Sequence, residues 1–249
     1  MTRLQSELRR LYLLPASGSQ DTAADMGSLV DADGQVRAMV LELARPADWV
    51  ALSTVWAGVQ ADLALPAPAI AVSGKDGYQL WFSLAEPVPA AQATAFLDAL
   101  RLRYLSDIKP QRIGLLPKVE AVSPLHILHA SLVPAQQADS AVWSAFIAQD
   151  LAPMFTDEPW LDLPPNPDGQ CNLLARLASI QPADLALALA RLQPTTLAGQ
   201  ALPATLPGGA WLDPRRFLLD VMNNDSLALG LRIEAAKALL PYTHDLRRP

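Results

Sequence analysis

Ser73-Gly74-Lys75-Asp76-Gly77-Tyr78-Gln79-Leu80-Trp81-Phe82 is the stretch that decides how the chain is read. Gly74-Lys75-Asp76-Gly77 has turn chemistry: its glycines admit left-handed backbone, and the polar pair between them suits solvent. Apolar runs flank it, Ala69 to Val72 on one side and Tyr78 to Leu84 on the other, so the segment predicts a β-hairpin. The same arrangement stands upstream, where Ser28 to Val30 and Val36 to Leu43 flank Asp31-Ala32-Asp33-Gly34. Between the hairpins, Arg45-Pro46 opens a predicted helix that keeps Trp49, Leu52, Trp56, Val59 and Leu63 on one stripe, which assigns both tryptophans to the core.

Working outward, Leu4, Leu8, Leu11 and Tyr12 recur at helical spacing behind Thr2, a capping residue. A helix is predicted from about Pro89 to Leu105 and an extended stretch from Arg112 to Leu116. Further helices are expected at Ser140 to Leu151, Asn172 to Ile180, Ala183 to Leu192, Pro214 to Asn223 and Leu227 to Leu240. Prolines gather between Pro153 and Pro167 and again between Pro194 and Pro207, which predicts a surface connection and a linker. The fold class is therefore α+β, a mixed or antiparallel sheet with packed helices followed by a mainly helical C-terminal part. The expected boundaries are an α+β domain at 1–135, a helical extension with a Pro-rich acidic loop at 136–192, a linker at 193–210 and a helix hairpin at 211–249.

The 249 residues, 51% of them hydrophobic, suffice for a sizeable core. A net charge of −6 argues against coating nucleic acid by bulk positive charge, so any such contact is local. No apolar run approaches the roughly 20 residues of a membrane span, and the N-terminus is amphipathic, so a cytoplasmic protein is expected. The lone Cys171, among leucines, reads as a buried thiol. His126 and His129 lie in an extended context that points them to opposite sides, which disfavours a metal site. Asp157, Glu158, Asp162 and Asp168 read as a solvated acidic loop, with Trp143, Phe146, Phe155 and Trp160 anchoring it. No Walker loop, dinucleotide fingerprint or nucleophile elbow is present, and neither cofactor nor metal is expected.

Ser73-Gly74, Gly77-Tyr78 and Leu80-Trp81-Phe82 resemble the small-Gly-Gly-aromatic-His-hydrophobic signature of archaeo-eukaryotic-type primases and primase-polymerases. The resemblance implies a strand bearing an Asp-x-Asp/Glu pair for catalytic metal, a hairpin histidine that contacts nucleotide phosphate, and a later acidic residue that completes the metal site. Here Val40-Leu41-Glu42-Leu43-Ala44 keeps one acid, Glu42, with Ala44 at the second position. Gln79 stands for the histidine, and it donates a hydrogen bond but carries no charge. Gly114 stands where the third acid is expected. The resemblance thus implies a degenerate site with no catalytic residue. Asp31 and Asp33 read as turn residues, and a displaced acidic pair there is the alternative.

Asp213-Pro214-Arg215-Arg216-Phe217 through Asp225, followed by Leu231-Arg232-Ile233-Glu234-Ala235 through His244, resembles a helical pair near the ends of proteins similar to phage terminase small subunits. It implies association with DNA or with a protein of a mobile element. The densest basic stretch is Arg101 to Lys118, where Arg101, Arg103, Lys109, Arg112 and Lys118 meet only Asp107; with Lys75 and Gln79 they are the candidate nucleic-acid contacts. Three readings follow: a non-catalytic nucleic-acid-associated or replication/packaging accessory protein, a protein–protein interaction module, and a metal-dependent nucleotidyl transferase with a displaced acidic site.

Overall fold

The computed structural model describes residues 1–14, 27–120, 126–192 and 214–224, with 232, 233, 236, 237 and 239. The chain forms two compact units, Met1–Pro194 and Thr195–Pro249.

The first unit is built on a five-stranded antiparallel sheet in the order β4-β1-β3-β2-β7. Its strands are β1 (Gln35–Ala44), β2 (Ala69–Val72), β3 (Gly77–Pro89), β4 (Ile113–Leu116) and β7 (Ala145–Ile147). A separate pair joins β5 (Lys118–Glu120) to β6 (His126–Leu128). Both faces of the large sheet are covered, which is why its central strands read as apolar runs and not as a clean alternation. On one face Met39, Leu41, Leu43, Tyr78, Leu80 and Phe82 pack with α2 (Trp49–Ala61), α3 (Ala90–Tyr104) and α5 (Pro182–Leu192). On the other, Ala38, Val40, Ala71, Trp81 and Phe146 pack with α1 (Arg3–Leu11), with Tyr12 and Val133, and with Leu174 of α4 (Pro167–Leu174).

The α+β class expected from the sequence is the one observed, and the second hairpin stands where its glycines place it. Thr2 closes a capping box with Gln5 at the head of α1. Trp49 is buried in the core and Trp56 packs against it. Four expectations change. The helix behind Arg45-Pro46 starts at Trp49 because the Asp48 side chain accepts the Ala51 N–H and fixes the N-terminus there. Ser28 to Val30 forms only isolated bridges, Leu14 to Ser28 and Val30 to Val36. The helix expected at Asn172 to Ile180 lies earlier, over Pro167–Leu174, where Asn166 caps the Asp168 and Gly169 amides and Pro167 takes the first turn. In place of a helix over Ser140 to Leu151 stands β7, the fifth strand of the sheet, so the extension expected at 136–192 contributes a strand to the α+β unit.

Gln170 explains how so short a strand is held. Its side-chain amide donates to the Phe146 C=O at 2.9 Å and accepts the Phe146 N–H at 2.8 Å, covering the edge of β7 that β2 leaves open. Arg10 fastens α1 to the end of α4 by donating to the Leu174 and Leu177 carbonyls.

In the second unit α6 (Pro214–Asn223) is observed as expected, and Arg232 Nε donates to the Met222 carbonyl in its last turn. The linker expected at 193–210 lies outside the described residues, as do Asp213 and most of the expected helix at 227–240.

Candidate functional site

The positions singled out by the primase-like pattern meet on one row of the sheet. Gly114 of β4 pairs with Glu42 of β1, Glu42 with Gln79 of β3, and Gln79 with Ala71 of β2. Register alone puts three residues, far apart in sequence, side by side on the face that carries Trp81 and Val40.

Hydrogen bonding fixes two of them. Gln79 Nε2 donates to Glu42 Oε2 at 2.8 Å, and Trp81 Nε1 donates to Gln79 Oε1 at 2.9 Å. The indole therefore sets which way the amide faces, and the amide presents its donors to the carboxylate. Trp81 is in turn held by Tyr12, edge-on at 5.3 Å between ring centroids, and by Phe146 at 6.0 Å. Burial pushes the Glu42 carboxyl above the usual carboxylate range; the Gln79 hydrogen bond and the charges of Arg45 and Lys75 pull it back, and Asp76 adds to the rise.

Beside this row the hairpin loop is tightly made. The Ser73 hydroxyl accepts the amides of Lys75, Asp76 and Gly77 at 3.2, 3.2 and 3.0 Å. Gly74 has φ +75°, and a Cβ there would lie 2.8 Å from the Ser144 nitrogen. A Cβ on Gly77 would meet the Ala44 Cβ and the Leu43 oxygen at 2.7 Å, so Ala44 sits flat against the hairpin. Lys75 is exposed at the tip, and Asp76 lies 3.7 Å from Arg45.

Chemically the row offers one carboxylate, enough to accept one more donor or to share a single cation, whereas a two-metal centre needs acids on adjacent positions. Asp31 and Asp33 supply none. Asp31 Oδ1 accepts the Asp33 and Gln35 amides, closing the first turn, which stands at the far end of β1, seven residues or roughly 23 Å along the strand from Glu42.

The basic candidates are dispersed. Arg101 donates to Asp98 at 2.8 Å, and Arg103 pairs with Asp62 at 3.3 Å while covering the Tyr104 ring. Both stand on α3, against the sheet face opposite Glu42. Arg112 donates to the Pro46 carbonyl at 2.9 Å and to that of Ala44 at 3.4 Å, bracing the turn behind β1. Lys109 is exposed just before the 3-10 turn that leads into β4, and Lys118 is exposed just after it. The structure thus gathers Glu42, Gln79, Ala44 and Gly114, with Lys75 nearby, and leaves Arg101 and Arg103 on the other face.

Of the remaining candidates, His129 is a structural residue. Its Nδ1 accepts the Ala130 N–H at 2.8 Å, which leaves Nε2 to donate to the Ala38 carbonyl at 3.0 Å, and burial pushes its pKa down. Cys171 is buried and free. Among the described residues no group of three His, Cys, Asp or Glu is placed to hold a metal, and no helix is long and apolar enough to cross a membrane. The Trp81–Gln79 bond escaped sequence reasoning; its signal is the spacing of two along a strand, which puts an indole donor beside an amide on one face. The chain matches no protein-family model and none of the curated proteins compared with it.

Proposed function

We propose that the protein is a non-catalytic accessory of a mobile genetic element, built on a degenerate primase-like sheet, that works by association with nucleic acid or with a replication or packaging partner. The observation that carries this reading is the row Gly114–Glu42–Gln79: the pattern's three positions fall on adjacent strands, yet a lone carboxylate stands among them and its neighbour is a neutral amide. Such a row keeps the framework of a nucleotide-handling sheet without the charge that binds two metals. Lys75 at the hairpin tip and Lys109 before β4 are exposed cations on this side, and they are the contacts assigned to phosphate, whereas Arg112 is spent on the Ala44 and Pro46 carbonyls and lies 3.8 Å from Asp48.

The test is fluorescence anisotropy of labelled single-stranded and duplex DNA between 20 and 300 mM salt. The reading expects micromolar binding that weakens steeply with salt and falls about tenfold on changing Lys75 and Lys109 together to alanine. Absence of binding at 20 mM salt rejects nucleic acid as the partner.

A second reading, in which the partner is a protein, is favoured by the ion pairs of Arg101 with Asp98 and Arg103 with Asp62, which withdraw two of the expected phosphate contacts.

A further inference from the structure

The segment between β7 and α4 is tied down at three points, yet it leaves large apolar side chains in water. The Tyr78 hydroxyl donates to the Ala152 carbonyl, and the Gly74 N–H donates to the Pro159 carbonyl at 3.0 Å. Trp143 and Leu161 exchange both backbone bonds, at 2.8 and 3.0 Å. Pro159 is buried, and Phe155 and Leu161 pack against the core. Met154, on the 3-10 turn Ala152–Phe155, nevertheless keeps 77% of its surface exposed, with Leu163 at 76% and Leu151 at 46%. The first turn of α2 flanks the 3-10 turn, since Trp49 packs on Tyr78 at 5.8 Å between ring centroids, and it adds Val50 at 78%. A single exposed leucine needs no explanation. Grouped on one anchored segment and the helix turn beside it, these side chains mark an interaction surface, and the anchors hold it in shape before anything binds.

From this surface we infer that residues 150–163, with Val50, are the docking site for a basic amphipathic segment of a partner protein. The charges choose the occupant. No lysine or arginine occurs between Val119 and Gln170. Asp150, Asp157, Glu158 and Asp162 are exposed among the apolar side chains, and none of them enters an ion pair among the described residues. A nucleic-acid backbone, an anionic lipid surface and the same face of a second copy are all negative and are repelled. Lysines and arginines interleaved with apolar residues answer both features, because their aliphatic stems cover Met154 and Leu163 while their heads meet the carboxylates. Lys75 stands next to Gly74 at the border, so this face and the contacts assigned to phosphate meet at the hairpin tip but share no residue.

The inference rests on the protein-partner reading above. The probe is a fluorescein-labelled peptide of leucine and lysine at helical spacing, titrated by anisotropy at about 100 mM salt, a level that screens distant charges. Two control peptides carry serine for every leucine or glutamate for every lysine, and labelled DNA is titrated on the same preparation. Binding of the leucine–lysine peptide is expected, with at least a tenfold loss for either control peptide. Met154→Ser with Leu163→Ser, and separately Asp157→Lys with Glu158→Lys, are each expected to weaken binding at least tenfold with an unchanged circular dichroism spectrum. Glu86→Lys with Asp107→Lys makes the same charge change at exposed positions elsewhere and is expected to leave binding within about twofold. Peptide binding that survives both surface variants, or that falls equally with the distant pair, keeps a protein partner and overturns this surface. No peptide binding alongside DNA binding overturns the surface and the protein-partner reading together. Self-association lost with Met154→Ser and Leu163→Ser also overturns the inference, giving the face to a second copy.

Discussion

Gln79 Nε2 lies 2.8 Å from Glu42 Oε2, across a directly paired position of β1 and β3, and the same amide accepts the Trp81 indole N–H. The three side chains form one chain of donors and acceptors on a largely apolar face, so each depends on the middle one. Replacing Gln79 by alanine leaves a buried indole N–H and a half-buried carboxylate without their partner. It is expected to cost about 2–3 kcal/mol in urea unfolding, well above the figure for an exposed glutamine.

Glu42 itself has a pH signature. A carboxyl whose native pKa lies above its ordinary value of 4.5 binds its proton more tightly in the folded protein. Its contribution to stability is fully present below that value and is lost as pH rises through the native one. Glu42→Gln, which removes the titration and keeps an acceptor for Gln79, is expected to match the parent at pH 4 and to exceed it at pH 8. Equal stability differences at the two values would refute the assignment.

His129 predicts the opposite slope. Its lowered pKa means that the unfolded chain takes up the proton first, so stability is present above the ordinary value of 6.5 and falls as pH drops toward the native one. Burial, which strips water from the charged imidazolium, is the physical reason. Denaturation between pH 7.5 and 5 should show the loss, and an NMR titration should place the His129 imidazole below the unfolded value.

Gln170→Ala uncovers the Phe146 N–H and C=O at the edge of β7. A cost of about 2 kcal/mol is expected, together with faster exchange of the Phe146 amide, because a buried hydrogen-bonded pair loses both partners.

Gly58→Ala reverses a helix-propensity rule. In the interior of α2 an alanine ordinarily gains about 1 kcal/mol over glycine. Here its Cβ would lie 2.6 Å from the Tyr104 Cζ, and Tyr104 is tied by its hydroxyl to Asp62 at 3.0 Å, so a net loss of about 1–3 kcal/mol is expected by thermal melting.

These residues also show where sequence reasoning reached and where it stopped. Turn chemistry at Gly74 and Gly77, the stripe of Trp49, Leu52 and Val59, and the Thr2 cap are local signals, and the elements they predict are present. Asn166-Pro167 is equally local, a capping residue followed by a first-turn proline; it was read as surface connection because the prolines around it dominate the composition. β7 is another matter. Trp143, Phe146, Ile147 and Leu151 recur at helical spacing, but the strand is held by β2 on one edge and by Gln170, 24 residues away, on the other. No local pattern encodes a partner at that distance. At the candidate site the identities of Glu42, Gln79 and Gly114 were legible, while their shared row and the Trp81 bond depend on strand register, which the sheet alone determines.

The central claim is that this row associates without catalysing nucleotidyl transfer, and primer extension tests it most directly. Purified protein is incubated with primed template, deoxynucleotides, and magnesium or manganese, beside Glu42→Ala. The account predicts no incorporation above that of the variant in either metal; template-dependent extension by the parent chain that disappears with Glu42→Ala would contradict it.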